Sequence, residues 1–163
     1  MQLELKLREF SKEDAETVAT LVGDRDLSRW TSSIPHPYTL QDACDWITRL
    51  TADRERQSFA VELKGELVSC MAFWPHDDHS VEVGYWVGKP YWGRGIGSRA
   101  LQALLASAVF PADKAVVAKV MTGNTGSQKV LLNNGFSFVR DCAINKNGKN
   151  VKAKFFVKDN SIC

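Results

Sequence analysis

The sequence predicts an α/β (α+β) fold in which helices cover a mixed, mostly antiparallel central sheet. The predicted elements follow the order β-α-α-β-β-β-α-β-α-β-β, so strands cluster in the middle of the chain and the later helices follow singly. The pairs Lys64-Gly65 and Asn147-Gly148 are typical of tight turns and indicate two hairpins. The chain has 163 residues, 44% of them apolar and 25% charged, which predicts one globular domain over residues 1–163.

The first elements follow from local patterns of apolar and capping residues. Leucines alternate with charged residues over residues 2–7, which predicts a strand. Apolar residues at helical spacing predict a first helix that begins near Ser11 and ends at Gly23. The prolines within residues 30–37 predict a loop, and Thr39 is placed to cap a second helix with apolar residues on its inner face.

Strands and single helices alternate along the rest of the chain. A polar turn is expected at Pro75–Ser80, and an apolar-faced helix is expected from Ser98 to the residues before Pro111. A further helix is predicted to begin at Thr125 and to end at Asn134-Gly135, where glycine suits a left-handed cap. The apolar and β-branched patterns place six strands, at residues 58–63, 67–73, 81–87, 115–121, 136–144 and 151–157.

A glycine-rich segment joins the strand at residues 81–87 to the helix that follows. Gly93, Gly95 and Gly97 leave backbone N–H groups uncovered, and the helix start adds unpaired N–H groups of its own, which together favour a phosphate. No Lys-Ser or Lys-Thr pair follows the glycines, as nucleoside triphosphate loops require, and Ser98 replaces the last glycine of the dinucleotide pattern. The pyrophosphate of coenzyme A suits the segment best. The alternative is a glycine turn with a purely structural role.

The same segment resembles the acetyl-CoA turn of the GNAT superfamily of N-acetyltransferases, usually written Q/R-x-x-G-x-G/A. Gly95 and Gly97 occupy its two glycine positions. Trp92 stands where Gln or Arg is usual, but Trp92-Gly93 matches an aromatic-glycine pair often found in the branch that acetylates the N-terminal amines of ribosomal proteins. Residues 82–87, which lead into the turn, also resemble that branch.

A second segment strengthens the resemblance. Asn124, Ser127 and the run Asn134-Gly135-Phe136 are similar to the strand-to-helix motif of the family, which ends in Gly-Phe. Two motifs in the right order and at about the usual separation are more specific than either alone, and weaker likenesses extend over nearly the whole chain. The resemblance implies an acetyltransferase with a GNAT-like fold, in agreement with the predicted order of elements.

Acetyl-CoA is the co-substrate that the resemblance implies, without a metal ion. Backbone N–H groups of Arg94–Ser98 would bind its pyrophosphate, and an N–H group near Val87 would polarise the thioester carbonyl. Asn124 would bond to the pantetheine arm or, alternatively, cap the next helix, and the side chains of Trp86 and Val87 suit ligand contact and core packing equally. The implied cofactor-binding residues are Trp86, Val87, Trp92, Gly93, Arg94, Gly95, Ile96, Gly97, Ser98 and Asn124.

Transfer to an amine requires removal of a proton, because alkyl amines, with pKa values of about 8 to 10, are protonated at pH 7. Glu82 is the candidate base, since it lies mid-strand among apolar residues that would raise a carboxylate pKa. The alternative to this catalytic role is a glutamate that faces solvent or pairs with a residue on a neighbouring strand. Leu131 occupies the position of the tyrosine that many family members use as the acid. Ser127, the residue usually assigned in the ribosomal-protein branch, is therefore the candidate acid, or else a helix-start serine that serves backbone groups.

The amine acceptor is expected to be a peptide N-terminus or a small molecule. The loop between the first two helices lines the acceptor cleft in this family, and here it contains Trp30, Ser32, Ser33, His36 and Tyr38. The missing tyrosine leaves open a non-catalytic acyl-CoA-binding sensor, and the glycine turn taken alone leaves open a nucleotide-binding enzyme. Apolar residues on the late strands suit either a homodimer interface or the core.

Charge and cysteine usage narrow the expected partners and compartment. The net charge is only +2 and both signs are mixed along the chain, so there is no electrostatic case for nucleic acid or a membrane surface. No apolar run has the length of a signal peptide core or a membrane span. The cysteines form no C-x-x-C pair and no zinc-like spacing with histidine, which predicts reduced thiols in a cytoplasmic protein. They are Cys44, Cys70, Cys142 and Cys163.

Overall fold

A computed structural model describes residues 4–159 of the chain. Within these residues the strands are β1 (Leu5–Arg8), β2 (Gln57–Leu63), β3 (Glu66–Asp77), β4 (Ser80–Val87), β5 (Ala115–Met121), β6 (Ser137–Lys146) and β7 (Lys149–Lys158). The α-helices are α1 (Ala15–Val22), α2 (Arg25–Ser28), α3 (Leu40–Ala52), α4 (Ile96–Leu105) and α5 (Thr125–Asn133). Residues 2 and 3 of the first predicted strand, and Cys163, lie outside the described residues.

The strands form a sheet in the order β1-β2-β3-β4-β5-β7-β6. Neighbouring strands are antiparallel except β4 and β5, which run parallel. The connection between β4 and β5 contains α4, because parallel neighbours need a crossover rather than a tight turn. The predicted fold class, a mixed and mostly antiparallel sheet covered by helices, is confirmed.

The core is divided between the two faces of this sheet. One apolar cluster lies under α4 and α5 and includes Val81 and Val83 of β4; we call this side the α4 face. The other cluster lies under α1 and α3 and is contacted by Trp86; we call this side the α1 face. Since strand side chains alternate between faces, Tyr85 belongs to the α4 face and Glu82 to the α1 face. β4 therefore presents side chains to both layers of the fold.

Helix α3 begins where the sequence predicts. The Thr39 hydroxyl accepts the N–H of Asp42 at 3.1 Å, and the Asp42 carboxylate accepts the N–H of Thr39 at 2.8 Å. This capping box satisfies two of the N–H groups that an α-helix leaves unpaired at its start. Ala43 and Ile47, one turn apart, are buried against the α1 face and hold the helix on the sheet.

The structure differs from the sequence prediction at helix α2, at the end of strand β3 and at the start of helix α4. The short helix α2 was not predicted, because a single turn is too short to show an apolar period; Asp24 caps it by accepting the N–H of Asp26 at 2.8 Å. Strand β3 continues through Asp77, so most of the turn expected at Pro75–Ser80 is extended. Helix α4 begins at Ile96 rather than Ser98, because Gly95 already adopts the left-handed conformation of a cap.

The pairing between β4 and β5 is unusually short. It runs from Ser80 opposite Ala115 only as far as Glu82 opposite Val117. Both strands continue beyond that point, β4 to Val87 along β3 and β5 to Met121 along β7. The sheet therefore opens into a wedge, and Glu82 lies at the apex where the two strands part.

A buried carboxylate fastens the first strand to the helices. Asp14 is 7% exposed and forms a two-pronged ion pair with the Arg8 guanidinium, with both N–O distances 2.8 Å. Arg8 also donates to the carboxylate of Glu62 on β2. Besides the two bonds from Arg8, Asp14 accepts the backbone N–H of Ser11 at 2.8 Å. The bonds from Arg8 have the largest effect on the pKa of Asp14 and, with the bond from Ser11, hold it below its ordinary value.

Asp14→Asn is expected to lower the free energy of unfolding by about 1–3 kcal/mol at pH 7, because it removes a charge-assisted pair. A lowered carboxylate pKa contributes stability above the unfolded value of about 3.9, and that contribution disappears as the pH falls through the folded value. The difference between wild type and Asp14→Asn should therefore close below about pH 4. Urea unfolding followed by circular dichroism at several pH values measures it. Asp78→Asn, in an exposed turn, is the control; an equal loss in both variants would contradict the prediction.

Candidate active site

The wedge between β4 and β5 opens into a cavity of about 750 Å³. Both separated strands line it, together with the glycine-rich turn, the starts of α4 and α5, the loop before α3 and part of β6. Every catalytic and cofactor-binding residue predicted from the sequence lines this cavity except Arg94 and Ser98. All five tryptophans of the chain also line it, at positions 30, 46, 74, 86 and 92. The cavity therefore gathers both motifs and most of the aromatic surface.

The glycine turn presents backbone N–H groups at the start of α4. Gly93 and Gly95 have φ values of 74° and 75°, a left-handed conformation that glycine adopts without strain. The first helical bond runs from the Arg99 N–H to the Gly95 carbonyl at 3.1 Å. The N–H groups of Ile96 to Ser98 precede this bond and stand at the positive end of the helix dipole. This arrangement suits an anion such as a pyrophosphate.

The end of β4 directs one edge of its backbone into the wedge. The Gly88 N–H bonds to the Val68 carbonyl on β3 at 2.9 Å, so the N–H of the preceding residue, Val87, points away from β3. The Val87 carbonyl already accepts the indole N–H of Trp92 at 2.7 Å. Trp92 is 43% exposed, so its side chain lies at the surface beside the end of β4 and is not part of the core. The Val87 N–H remains as a donor toward the wedge.

Asn124 caps α5, the alternative role weighed for it from the sequence. Its Oδ1 accepts the N–H of Ser127 at 3.2 Å. Asn124 also lines the cavity, and the cap does not use its amide nitrogen, which is a hydrogen-bond donor. Asn124 can therefore fix the first turn of α5 and still contact a ligand.

Tyr85 is a site residue that sequence reasoning missed. Its hydroxyl lies 2.8 Å from the Ser127 hydroxyl and also donates to the Ser127 carbonyl at 3.2 Å. Burial raises the pKa of Tyr85 well above its ordinary value. Strand alternation places Tyr85 on the α4 face, but its partner lies on α5, 42 residues away, which no local pattern indicates.

Glu82 lies beside a histidine and a lysine of the neighbouring strands, so the apolar surroundings expected for it are wrong and the cross-strand pairing weighed as its alternative is found instead. Its carboxylate Oε1 is 3.6 Å from His76 Nδ1 and 3.8 Å from Lys119 Nζ. The Glu82 side chain is 15% exposed. His76 is exposed, but it belongs to the extended strand β3 rather than to the expected polar turn, and it lies beside Glu82. These two partners of Glu82 come from β3 and β5, on either side of β4.

The far end of the cavity is formed by the loop before α3 and the α1 face of the sheet. Trp30, Ser32, Ser33 and Tyr38 line the cavity, as expected of the acceptor loop, whereas His36 does not. Burial raises the pKa of Tyr38 to about 12. The Nζ of Lys146 on β6 donates to the carbonyls of Ser28 and Arg29, at 3.1 and 2.7 Å, and so anchors the end of α2 across the cavity mouth.

Trp74 covers the β4 backbone at this end. An ideal Cβ on Gly84 would lie 2.6 Å from the Cη2 atom of Trp74, so the indole rests where Gly84 has no side chain. The Arg56 guanidinium lies over the Trp74 ring, 4.4 Å from the ring centroid. A side chain at position 84 would displace this pair.

Three further expectations concern metal ligands, cysteines and membrane-spanning helices. Within residues 4–159, no three His, Cys, Asp or Glu side chains are grouped so as to hold a metal ion. Cys44, Cys70 and Cys142 are free thiols, and burial raises the pKa of Cys70 to about 12. None of the helices in this part of the chain is long and apolar enough to cross a membrane.

The chain is similar to acetyltransferases in sequence and in structure. A family model described as an acetyltransferase (GNAT) domain matches residues 4–137. The uncharacterized N-acetyltransferase p20 of Bacillus licheniformis is 27% identical over 144 residues, which are 84% of this chain and 80% of that protein. The microcin C7 self-immunity acetyltransferase MccE, solved with acetyl-CoA and AMP, has a TM-score of 0.83 and 20% identity over 95% of this chain and 92% of its own. RimL, a ribosomal L7/L12 alpha-N-protein acetyltransferase solved with coenzyme A, has a TM-score of 0.82 and 20% identity over 94% of this chain and 92% of its own.

Gly84→Ala is expected to lower the free energy of unfolding by about 1–3 kcal/mol, because the added methyl group overlaps the Trp74 ring. Urea unfolding followed by circular dichroism measures the change. Gly126→Ala in α5 is the matched control, since its added Cβ meets nothing closer than 4.0 Å and alanine favours a helix. Equal stability of the two variants would show that the indole moves away without cost.

Proposed function

The chain belongs to the acetyltransferase (GNAT) family, as the two motifs of its sequence predicted, and we propose that it transfers the acetyl group of acetyl-CoA to a primary amine. The acceptor in this proposal is a peptide N-terminal α-amine or a small amine. The observation that carries it is the wedge between β4 and β5, which opens into the cavity at the start of α4. MccE and RimL share the fold and were solved with acetyl-CoA and coenzyme A, which supports the same co-substrate here.

The proposed position of acetyl-CoA follows from the donors at the site. Its pyrophosphate would bind the N–H groups of Ile96 to Ser98, which have no partner within α4. Its pantetheine arm would lie in the wedge along β4. The Val87 N–H, the group of that residue not already used by Trp92, would donate to the thioester carbonyl and stabilise the charge that develops on its oxygen.

Glu82 is the proposed base. In the reaction the amine nitrogen attacks the thioester carbon, a C–N bond forms, the C–S bond breaks, and the amine gives up a proton. Glu82 would accept that proton directly or through a water molecule. His76 and Lys119 both contact Oε1 and hold the carboxylate in place, which leaves Oε2 as the oxygen proposed to face the amine.

Ser127 is the proposed donor to the leaving sulfur. The sulfur departs as a thiolate with a pKa near that of cysteine, about 8.5, so a weak donor is sufficient. Ser127 would stabilise this thiolate by donating a hydrogen bond to it, and the thiolate would then take its proton from solvent. We assign Tyr85 the role of positioning Ser127, because the two hydroxyl oxygens lie within hydrogen-bond distance, 2.8 Å apart.

Acetyl-CoA at a hundredfold excess over its Kd is expected to stabilise the protein by about 2.7 kcal/mol, because it binds only the folded state. Thermal unfolding with and without the ligand measures this, and release of free coenzyme A thiol across a panel of amines measures transfer. No rise in Tm at saturating acetyl-CoA would refute the proposal. A rise without thiol release from any amine would indicate the acyl-CoA sensor instead.

Glu82→Gln is expected to lower kcat/KM by a factor of about 10²–10⁴, the usual contribution of a positioned base, while the rise in Tm with acetyl-CoA persists. Glutamine keeps the size of the side chain but cannot accept the proton. Glu16→Gln, on the exposed side of α1, is the matched control and is expected to keep full activity. Wild-type activity in Glu82→Gln would exclude this residue as the base.

Ser127→Ala and Tyr85→Phe are expected to depend on each other, because the two hydroxyl groups act as one unit. Each single variant should lower kcat about tenfold, as a lost hydrogen bond in the transition state predicts, and the double variant should lose little more than Ser127→Ala alone. A double-mutant cycle on kcat at saturating acetyl-CoA measures the coupling. Fully additive losses would show that Tyr85 acts independently of Ser127.

A further inference from the structure

Resting on the proposed function, we infer that the acceptor amine carries an anionic group, a carboxylate or a phosphate, which binds Arg56 at the far end of the cavity. Glu82, Trp74 and Arg56 stand side by side on the α1 face. One ligand can therefore offer its amine to the carboxylate of Glu82 and its anion to the guanidinium of Arg56. Such a site distinguishes this acceptor from a neutral amine and from a polycation.

The indole of Trp74 separates the two charged groups. Trp74 is the register partner of Glu82, so their side chains leave the sheet next to each other on the same face. The ring extends across Gly84, two residues further along β4, and so covers the backbone beside the carboxylate. An acceptor that approaches Glu82 from this side contacts a flat aromatic surface, which suits a planar or apolar spacer between its amine and its anion.

Arg56 is stacked so that its donors remain open. Its guanidinium lies 4.4 Å from the Trp74 ring centroid, and stacking occupies the face of the planar group rather than its N–H edges. Those edges form the fork that matches the two oxygens of a carboxylate or phosphate. The stack also fixes the side chain before the ligand binds, which reduces the entropy lost on binding.

The charge of Arg56 is not neutralised by an ion pair among the described residues. Asp53 lies close enough for the charge to act on it, but the Asp53 carboxylate accepts the backbone N–H groups of Glu55 and Arg56, at 2.9 and 3.0 Å. Arg56 is exposed at the cavity mouth, so its charge faces the entry path. An incoming anion would supply the missing partner.

Other charged groups at this end do not reverse the argument. Asp42 caps α3 by accepting the Thr39 N–H, and Asp45 accepts the side-chain amide of Gln41 at 2.8 Å, so both carboxylates are engaged with their own helix. Arg49, on the same helix, adds a second guanidinium without an ion pair in the described chain. Lys119 contacts Glu82, which lies where the pairing between β4 and β5 ends.

The test compares each anionic acceptor with a neutral analogue that keeps the same aminomethyl-aryl frame. One pair is para-aminomethylbenzoate and its primary amide, and the other is para-aminomethylphenyl phosphate and the corresponding phenol. The readout is the ratio of kcat/KM for the anionic member to that for the neutral member, measured by thiol release at saturating acetyl-CoA. We expect a ratio of about ten or more in wild type for one pair, which identifies the anion, and a fall of the ratio with added salt.

Arg56→Gln is expected to lower that ratio about tenfold, and Arg56→Lys, which keeps the charge without the planar fork, is expected to lower it less. Arg54→Gln is the matched control, since Arg54 is equally exposed, lies two residues away and does not line the cavity; it should keep the wild-type ratio. A ratio near one for both pairs, or an unchanged ratio in Arg56→Gln, would overturn the inference. Failure of the proposed function is a different result, namely no thiol release with any amine, including the neutral members.

Discussion

The early separation of β4 from β5 is the constraint on which the rest of the site depends. Parallel pairing stops at Glu82 and Val117, although both strands continue. Beyond that point one edge of each strand carries backbone N–H and C=O groups that have no strand partner across the wedge. Buried groups of this kind are costly unless something binds them, so the fold keeps a site here that a ligand or water completes. The glycine turn then starts α4 at the mouth of the wedge and adds the N–H groups of a helix start.

The alternation of β4 distributes the chemistry between the two layers of the protein. Glu82 is on the α1 face, with the acceptor end of the cavity, and Tyr85 is on the α4 face, where it meets Ser127 at the start of α5. A single strand thus carries the proposed base toward one side of the wedge and the proposed positioning hydroxyl toward the other. The residues that contact these groups come from other elements: β3 and β5 supply His76 and Lys119 beside Glu82, and α5 supplies the partner of Tyr85.

Local signals were sufficient for the fold and for the position of the glycine turn, and insufficient for the surroundings of Glu82 and the other polar groups of the cavity. The glycine turn, the cap at Thr39 and the mixed sheet follow from short stretches whose meaning does not depend on distant residues. The environment of Glu82 does depend on them, because strand register alone brings His76 and Lys119 to its carboxylate. The stack of Arg56 on Trp74 could not be predicted for the same reason, and a helix as short as α2 leaves no periodic pattern.

The presence of every tryptophan around one cavity has a practical consequence for spectroscopy. The near-ultraviolet fluorescence of this protein arises entirely from residues that line the wedge and its acceptor end. Emission therefore reports on the solvation of the site and carries no tryptophan signal from α4, α5 or the β6–β7 hairpin. Local opening of a site can require less free energy than global unfolding. An emission change that precedes the loss of amide ellipticity would then measure the opening of the cavity, and coincidence of the two would show that the site and the sheet melt as one unit.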